Sequence, residues 1–107
     1  MIRMLFTLQE QKPVPCSSVL EWTSWLMNAE NRRVKETLVG ETWVSTVFLG
    51  VSYHAAVSAM FETMVFGGPL DGTVRRSHTW DQAETVHADI CAQVLTTQEI
   101  HILKHTD

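Results

Sequence analysis

Arg32-Arg33-Val34-Lys35-Glu36-Thr37-Leu38-Val39-Gly40-Glu41-Thr42-Trp43-Val44-Ser45-Thr46-Val47-Phe48-Leu49-Gly50 is the stretch on which the fold turns. β-Branched residues crowd both sides of Gly40-Glu41, and that pair suits a two-residue Gly-X turn of type II′. The segments Arg32 to Val39 and Thr42 to Gly50 are therefore predicted to form an antiparallel hairpin with Val39 opposite Thr42. This register sorts the side chains onto two faces. Val34, Leu38, Trp43, Val47 and Leu49 share one, and its apolar character marks it as the core face. Lys35, Thr37, Val39, Val44, Thr46 and Phe48 share the other, a mixed face with too much apolar area to be left in water.

A second hairpin follows. Ala59 to Phe66 and Thr73 to His78 flank Gly67-Gly68-Pro69-Leu70-Asp71-Gly72, which carries the glycines and Asp-Gly pair of a loop. A symmetric loop sets Phe66 opposite Thr73. Phe61, Thr63, Val65, Val74, Arg76 and His78 then share one face, and Met60, Glu62, Met64, Phe66, Thr73, Arg75 and Ser77 the other. With apolar residues on both sides, the first of these strands belongs in the middle of its sheet.

Helices are expected on either side of the hairpins. Ser18-Val19-Leu20-Glu21 has the spacing of a capping box, in which hydroxyl and carboxylate satisfy the unpaired N–H groups of a helix start. Val19, Trp22, Leu26 and Ala29 continue it as a core-facing stripe, with an end between Asn28 and Asn31. Thr79-Trp80-Asp81-Gln82 is a second box, leading a stripe of Trp80, Ala83, His87, Ile90 and Val94. Met1 to Leu8 reads as a strand, and Pro13-Val14-Pro15 as extended chain. Residues 98–107 are open to three readings: more helix, an edge strand, or a flexible tail. The order β-α-β-β-β-β-α implies an α+β domain, an antiparallel sheet of about five strands with two helices packed on one face.

Composition supports a single domain over residues 1–107. The chain is 45% hydrophobic and 19% charged, with only three prolines and five glycines, so it is neither disordered nor linker-like. A net charge of −4 argues against strong nucleic-acid binding, because no basic footprint exists to neutralise phosphates. No run approaches the roughly 20 apolar residues of a membrane span, and the start lacks a signal-peptide cleavage pattern. Cys16 and Cys91 stand alone, which predicts two reduced thiols rather than a disulfide framework or a zinc site.

Counting faces leads to the functional expectation. Two helices cover one side of such a sheet, yet Val39, Val44, Phe48 and one side of the Ala59 to Phe66 strand point to the other. A second copy of the chain, or a foreign protein, is the expected cover, because large exposed apolar patches are uncommon on monomers.

Val44-Ser45-Thr46-Val47-Phe48-Leu49-Gly50 and Phe61-Glu62-Thr63-Met64-Val65-Phe66-Gly67-Gly68, with Thr79-Trp80-Asp81-Gln82-Ala83-Glu84 and His87, resemble a group of small uncharacterised bacteriophage and prophage proteins. The resemblance covers about residues 18 to 90 and departs from the group between Gly50 and Phe61. It implies a phage origin and action in the host cytoplasm, and no mechanism; the partner expected for the uncovered sheet face is then a host or phage protein. A component of bacterial antiviral defence is one such partner. It carries no activity with it.

Several residues invite a chemical reading. Glu62 lies between Met60 and Met64, where a desolvated carboxylate with a raised pKa would suit acid or base work. The competing reading is a structural salt bridge, with Arg75 diagonally across the hairpin. His87 interrupts an apolar stripe and is read first as a hydrogen-bonded core histidine. Together with Glu62 and the loop residue His54 it would instead form the pocket of a small-ligand binder or simple hydrolase. The binding reading takes Val44, Phe48, Tyr53, His54, Glu62, Arg75 and Arg76 as contacts. His101 and His105, four apart, lack a third ligand, so no metal is expected, and no cofactor-binding fingerprint occurs, since the glycines of the 67–72 loop join two strands rather than a strand to a helix. Trp22, Trp25, Trp43 and Trp80 are assigned to packing.

Overall fold

The computed structural model describes residues 4–52 and 59–104. Two hairpins of quite different turn chemistry set out the strands. β1 (Met4–Gln9) and β2 (Lys12–Pro15) form the first, joined by Glu10 and Gln11 at φ +49° and +70°. Two successive left-handed residues are the mark of a type I′ turn, whose twist matches that of the flanking strands. The register pairs Phe6 with Pro15 and Leu8 with Pro13. Counted from the turn, both prolines occupy positions whose nitrogens face away from β1, the one place where a strand tolerates them.

β3 (Arg33–Val39) and β4 (Thr42–Phe48) form the second hairpin, with Val39 opposite Thr42 as expected. Gly40 has φ +62° and Glu41 does not share a positive φ, as a Gly-X turn of type II′ requires. β6 (Phe61–Phe66) pairs with β4 and also with β7 (Val74–Ser77). The four-stranded sheet runs β3-β4-β6-β7, so β6 is internal.

After β4 the chain leaves this sheet at Gly50, which has φ +78°, and β5 (Val51–Ser52) joins β1 in a three-stranded sheet of order β2-β1-β5. The Gly50 carbonyl accepts from the Phe6 amide and from Trp22 Nε1, both at 2.9 Å. A Cβ at Gly50 would stand 3.2 Å from both Leu26 Cδ2 and the Phe6 carbonyl oxygen, so close approach and backbone conformation both require glycine.

Both helix starts are capped by the expected hydroxyl. Ser18 Oγ accepts from the Glu21 amide at 3.2 Å at the start of α1 (Val19–Met27), and α2 (Ala29–Arg32) follows as a single turn capped by Asn28. Thr79 Oγ1 accepts from the Gln82 amide at 3.1 Å, while Gln82 Oε1 reaches back to the His78 amide at 3.0 Å. These contacts start α3 (Trp80–Lys104), which spans about 37 Å at 1.5 Å per residue. Residues 98–104 thus continue the helix. Gln98 Nε2 donates to the Val39 carbonyl at 2.8 Å, tying this part of α3 to the β3–β4 turn.

The α+β class stands, with strands divided between two sheets rather than gathered into one. Helix α3 lies on one face of the larger sheet, where Ala83, His87, Ile90 and Val94 are buried. One core cluster joins Ile90 and Val94 to Val44 and Val65. A second joins Phe6, Phe48, Met60, Phe61 and Ala83, with Trp25 of α1 and Trp80 packed against it.

The core face of β3–β4 is the reverse of the one expected. Val44 and Phe48 are completely buried, whereas Leu38 and Trp43 are 54% and 47% exposed. The physical reason is that Thr37 and Thr46, polar by composition, are matched by His87 on the helix and are buried or half-buried with it. Val44 and Phe48 are therefore interior residues and cannot be contact residues, and Trp43 is not a core tryptophan.

The β6–β7 register is also displaced by one from a symmetric loop. Met64 faces Val74, and Glu62 faces Arg76. Gly72 has φ +85°, its amide donates to the Val65 carbonyl at 2.9 Å, and the Val65 amide donates to the Thr73 carbonyl at 3.0 Å. Two residues thus oppose one, a bulge with a left-handed glycine, and every β7 side chain moves to the other face.

Candidate functional site

The sheet face away from α3 has no covering element among the described residues. Leu38, Trp43 and Phe66 align across β3, β4 and β6 in one register row. Ser45, Met64 and Val74 extend it toward β7. Phe66 and Val74 are 48% and 44% exposed, so four large apolar side chains stand half in water on three adjoining strands and the edge strand. Glu62 and Arg76 border this patch on the same face. Arg76 Nε and Nη2 both lie 3.2 Å from Glu62 Oε2. Glu62 is therefore held in a cross-strand ion pair, with Arg76 directly opposite in place of Arg75 on the diagonal. Arg75 faces Thr63 on the helix side and has no ion pair among the described residues.

On the opposite face lies a buried polar ladder. His87 Nε2 is 2.8 Å from Thr37 Oγ1, His87 Nδ1 is 2.7 Å from Thr46 Oγ1, and Thr46 Oγ1 is 2.6 Å from Thr63 Oγ1. The proton count closes. A neutral imidazole offers one donor and one acceptor, so if Nδ1–H donates to Thr46, the Thr46 hydroxyl donates onward to Thr63 and Thr37 donates to Nε2; the reversed chain works equally well. Burial lowers the His87 pKa, and the positive charge of Lys35 lowers it further. Burial raises that of the nearby Cys91 thiol, partly offset by a hydrogen bond with Thr37 and by Lys35. Burial therefore disfavours both the imidazolium of His87 and the thiolate of Cys91.

The depressed imidazole pKa has a calculable consequence. The unfolded chain takes up the His87 proton near pH 6.5 and the folded chain only at lower pH, so the unfolded state binds more protons between the two values. The stabilisation from a neutral His87 is complete above about pH 6.5 and is lost as pH falls through the folded-state value. Urea denaturation midpoints of the wild type should fall between pH 7.5 and 5, and replacing His87 with Gln should flatten that slope; an unchanged slope in the variant would exclude His87 as its source.

The proposed triad of Glu62, His54 and His87 is not assembled as a pocket by the part described. Glu62 pairs with Val47 on the open face, while Thr63 and Thr46 carry the ladder to His87 on the other, so the sheet stands between carboxylate and imidazole. Tyr53 and His54 lie outside the described residues, as do His105 and the side chain of His101. Among the described residues no group of three His, Cys, Asp or Glu side chains is placed to hold a metal ion, and no helix is long and apolar enough to cross a membrane. A shallow cleft of about 370 Å³ runs between β7 and the first turns of α3, lined by Arg76, Ser77, His78, Asp81, Gln82, Thr85 and Val86.

Sequence reasoning missed Leu38, Trp43, Phe66 and Val74 as surface residues, although the predicted Val39–Thr42 register had already placed Leu38 beside Trp43. Comparison with protein-family models, curated proteins and solved structures finds no match to this chain.

Proposed function

We propose that this chain is a non-enzymatic binding protein that works by protein–protein contact through its open sheet face, with a second copy of itself as the first partner to test. The observation that carries this reading is the exposed register row Leu38–Trp43–Phe66, continued by Val74. A flat apolar row bordered by an ion pair has the make-up of an interface centre with a polar rim, and an interfacial tryptophan is a common energetic anchor. The resemblance to small phage and prophage proteins supports placing the contact in the cytoplasm of a bacterial host. There a phage protein or a component of antiviral defence would be the heterologous partner.

Sedimentation equilibrium on the purified chain tests this. A concentration-dependent dimer is expected, and Trp43→Arg should weaken it by about 30-fold or more, equivalent to about 2 kcal/mol, while leaving the unfolding midpoint unchanged at concentrations where both chains are monomeric. A wild type that stays monomeric and retains no protein from a bacterial lysate would defeat the proposal. A dimer indifferent to Trp43→Arg would place the interface elsewhere.

A further inference from the structure

We infer that the free edge of β7 accepts an extended acidic peptide strand, seated between that edge and the N-terminal turns of α3. This goes beyond the open-face reading and uses a different surface.

The hydrogen bonds of Val65 with Gly72 and Thr73 fix which way the β7 backbone points. Counting on from them in the antiparallel alternation, Arg75 and Ser77 direct N–H and C=O toward β6, and Val74 and Arg76 direct theirs outward. Among the described residues no strand lies on that outer side, since β7 ends the sheet. An incoming strand can therefore bond to both outward-facing residues, the recognition mode in which main-chain bonds supply affinity and alternate side chains supply selectivity.

The other sheet edges are blunted. β2 carries Pro13 and Pro15, β3 is bulged between Arg33 and Lys35, and β5 is two residues long. Prolines, bulges and shortness are the usual devices against edge pairing. β7 carries no proline, and its bulge at Gly72 precedes the strand, so along Val74–Ser77 the guard is shortness together with the charge of Arg75 and Arg76, which repels basic strands and admits acidic ones.

Two further observations favour an occupant. Ser77 is 4% exposed and its Oγ has no hydrogen-bond partner, yet the residue lines the cleft between β7 and α3. Buried hydroxyls are ordinarily satisfied, and a side chain entering the cleft from an added strand would supply the missing partner. Arg75 lies on this same helix side with no carboxylate partner among the described residues, while Arg76 serves Glu62 and remains more than half exposed. Asp81 on the helix wall of the cleft restricts the acid to the Arg75 position and calls for a hydroxyl or apolar side chain beside Ser77.

The test uses a fluorescein-labelled hexapeptide, Thr-Glu-Glu-Val-Thr-Val, which sets a glutamate beside Arg75 and a threonine beside Ser77, and the same peptide with lysine in place of glutamate. Anisotropy should show saturable binding of the acidic peptide, with the basic one weaker by about tenfold or more. Val74→Pro removes one outward N–H without touching the β6 ladder, so it should keep the far-UV spectrum and weaken binding by about tenfold. Arg75→Glu should do the same through charge, and serves alone if the proline variant fails to fold. Trp43→Arg should leave peptide affinity within about twofold, which separates this site from the open face. Slowed amide exchange at Val74 and Arg76 on peptide addition would report the main-chain contact directly. The proposal is overturned if binding does not saturate by millimolar peptide, if the lysine peptide binds equally, or if folded Val74→Pro or Arg75→Glu binds as the wild type does.

Discussion

Phe48→Ala should lower the unfolding free energy by about 4 kcal/mol, the upper range for truncating a buried aromatic. Phe48 is fully buried and sits in the middle of an aromatic chain that ties the molecule together. Its ring centroid lies 5.8 Å from that of Trp25 in an edge-on contact and 5.3 Å from that of Phe61, which in turn meets Trp80 edge-on at 6.3 Å. Trp25 belongs to α1 and Trp80 opens α3, so removing the Phe48 ring leaves a cavity where both helices meet the larger sheet. Each edge-on pair also contributes about 0.5 to 1.5 kcal/mol beyond its buried area. Chemical denaturation followed by tryptophan fluorescence measures the loss, and Phe48→Leu should recover about half of it. A loss below about 1 kcal/mol for the alanine variant would mean that the site collapses around the gap and that the chain of rings is not a unit.

Thr46→Val should cost about 3 kcal/mol although it preserves shape and adds apolar surface. The Thr46 hydroxyl bonds to both His87 Nδ1 and Thr63 Oγ1 in the ladder, and removing it leaves two buried polar atoms without that partner. Each such orphan costs about 1 to 3 kcal/mol. The double variant Thr46→Val with His87→Leu should be more stable than Thr46→Val alone, because an apolar pair no longer strands an imidazole. If the single valine variant is as stable as the wild type, the ladder contributes nothing and His87 must be satisfied in another way.

These residues also show what could be read in the sequence. The starts of α1 and α3 were legible because capping is local chemistry, with Ser18 and Thr79 each bonding to an amide three residues on. The Gly40-Glu41 turn and its register were legible for the same reason. The face of the β3–β4 hairpin was not, because hydropathy scores threonine as polar, whereas here Thr37, Thr46 and Thr63 find an imidazole that makes burial acceptable. The pairing of Thr46 with Thr63, opposite the one polar residue in the α3 stripe, was the available signal.

The β1–β2 hairpin was missed because Glu10-Gln11 is not the Asn-Gly chemistry associated with left-handed turns. Its partner β2 was read only as extended chain, although strand and proline agree once the register is known. The candidate surface suffered in turn. Assigning Trp43 to the interior hid the row that it forms with Leu38 and Phe66, and put Val44 and Phe48 forward in its place. Of the two readings of Glu62, the ion pair is the one present, but the bulge at Gly72 makes its partner Arg76 in place of Arg75.

That bulge makes loop length behave like a reading frame in space. The alternative register without the bulge, with Phe66 opposite Thr73, would turn β7 over. Arg75 would then come to the open side, Val74 and Arg76 would swing beneath α3, and the ion pair at Glu62 would have to be rebuilt. A change in this loop that forces that register should therefore be far less neutral than its exposed position suggests, because it exchanges the electrical character of two surfaces at once.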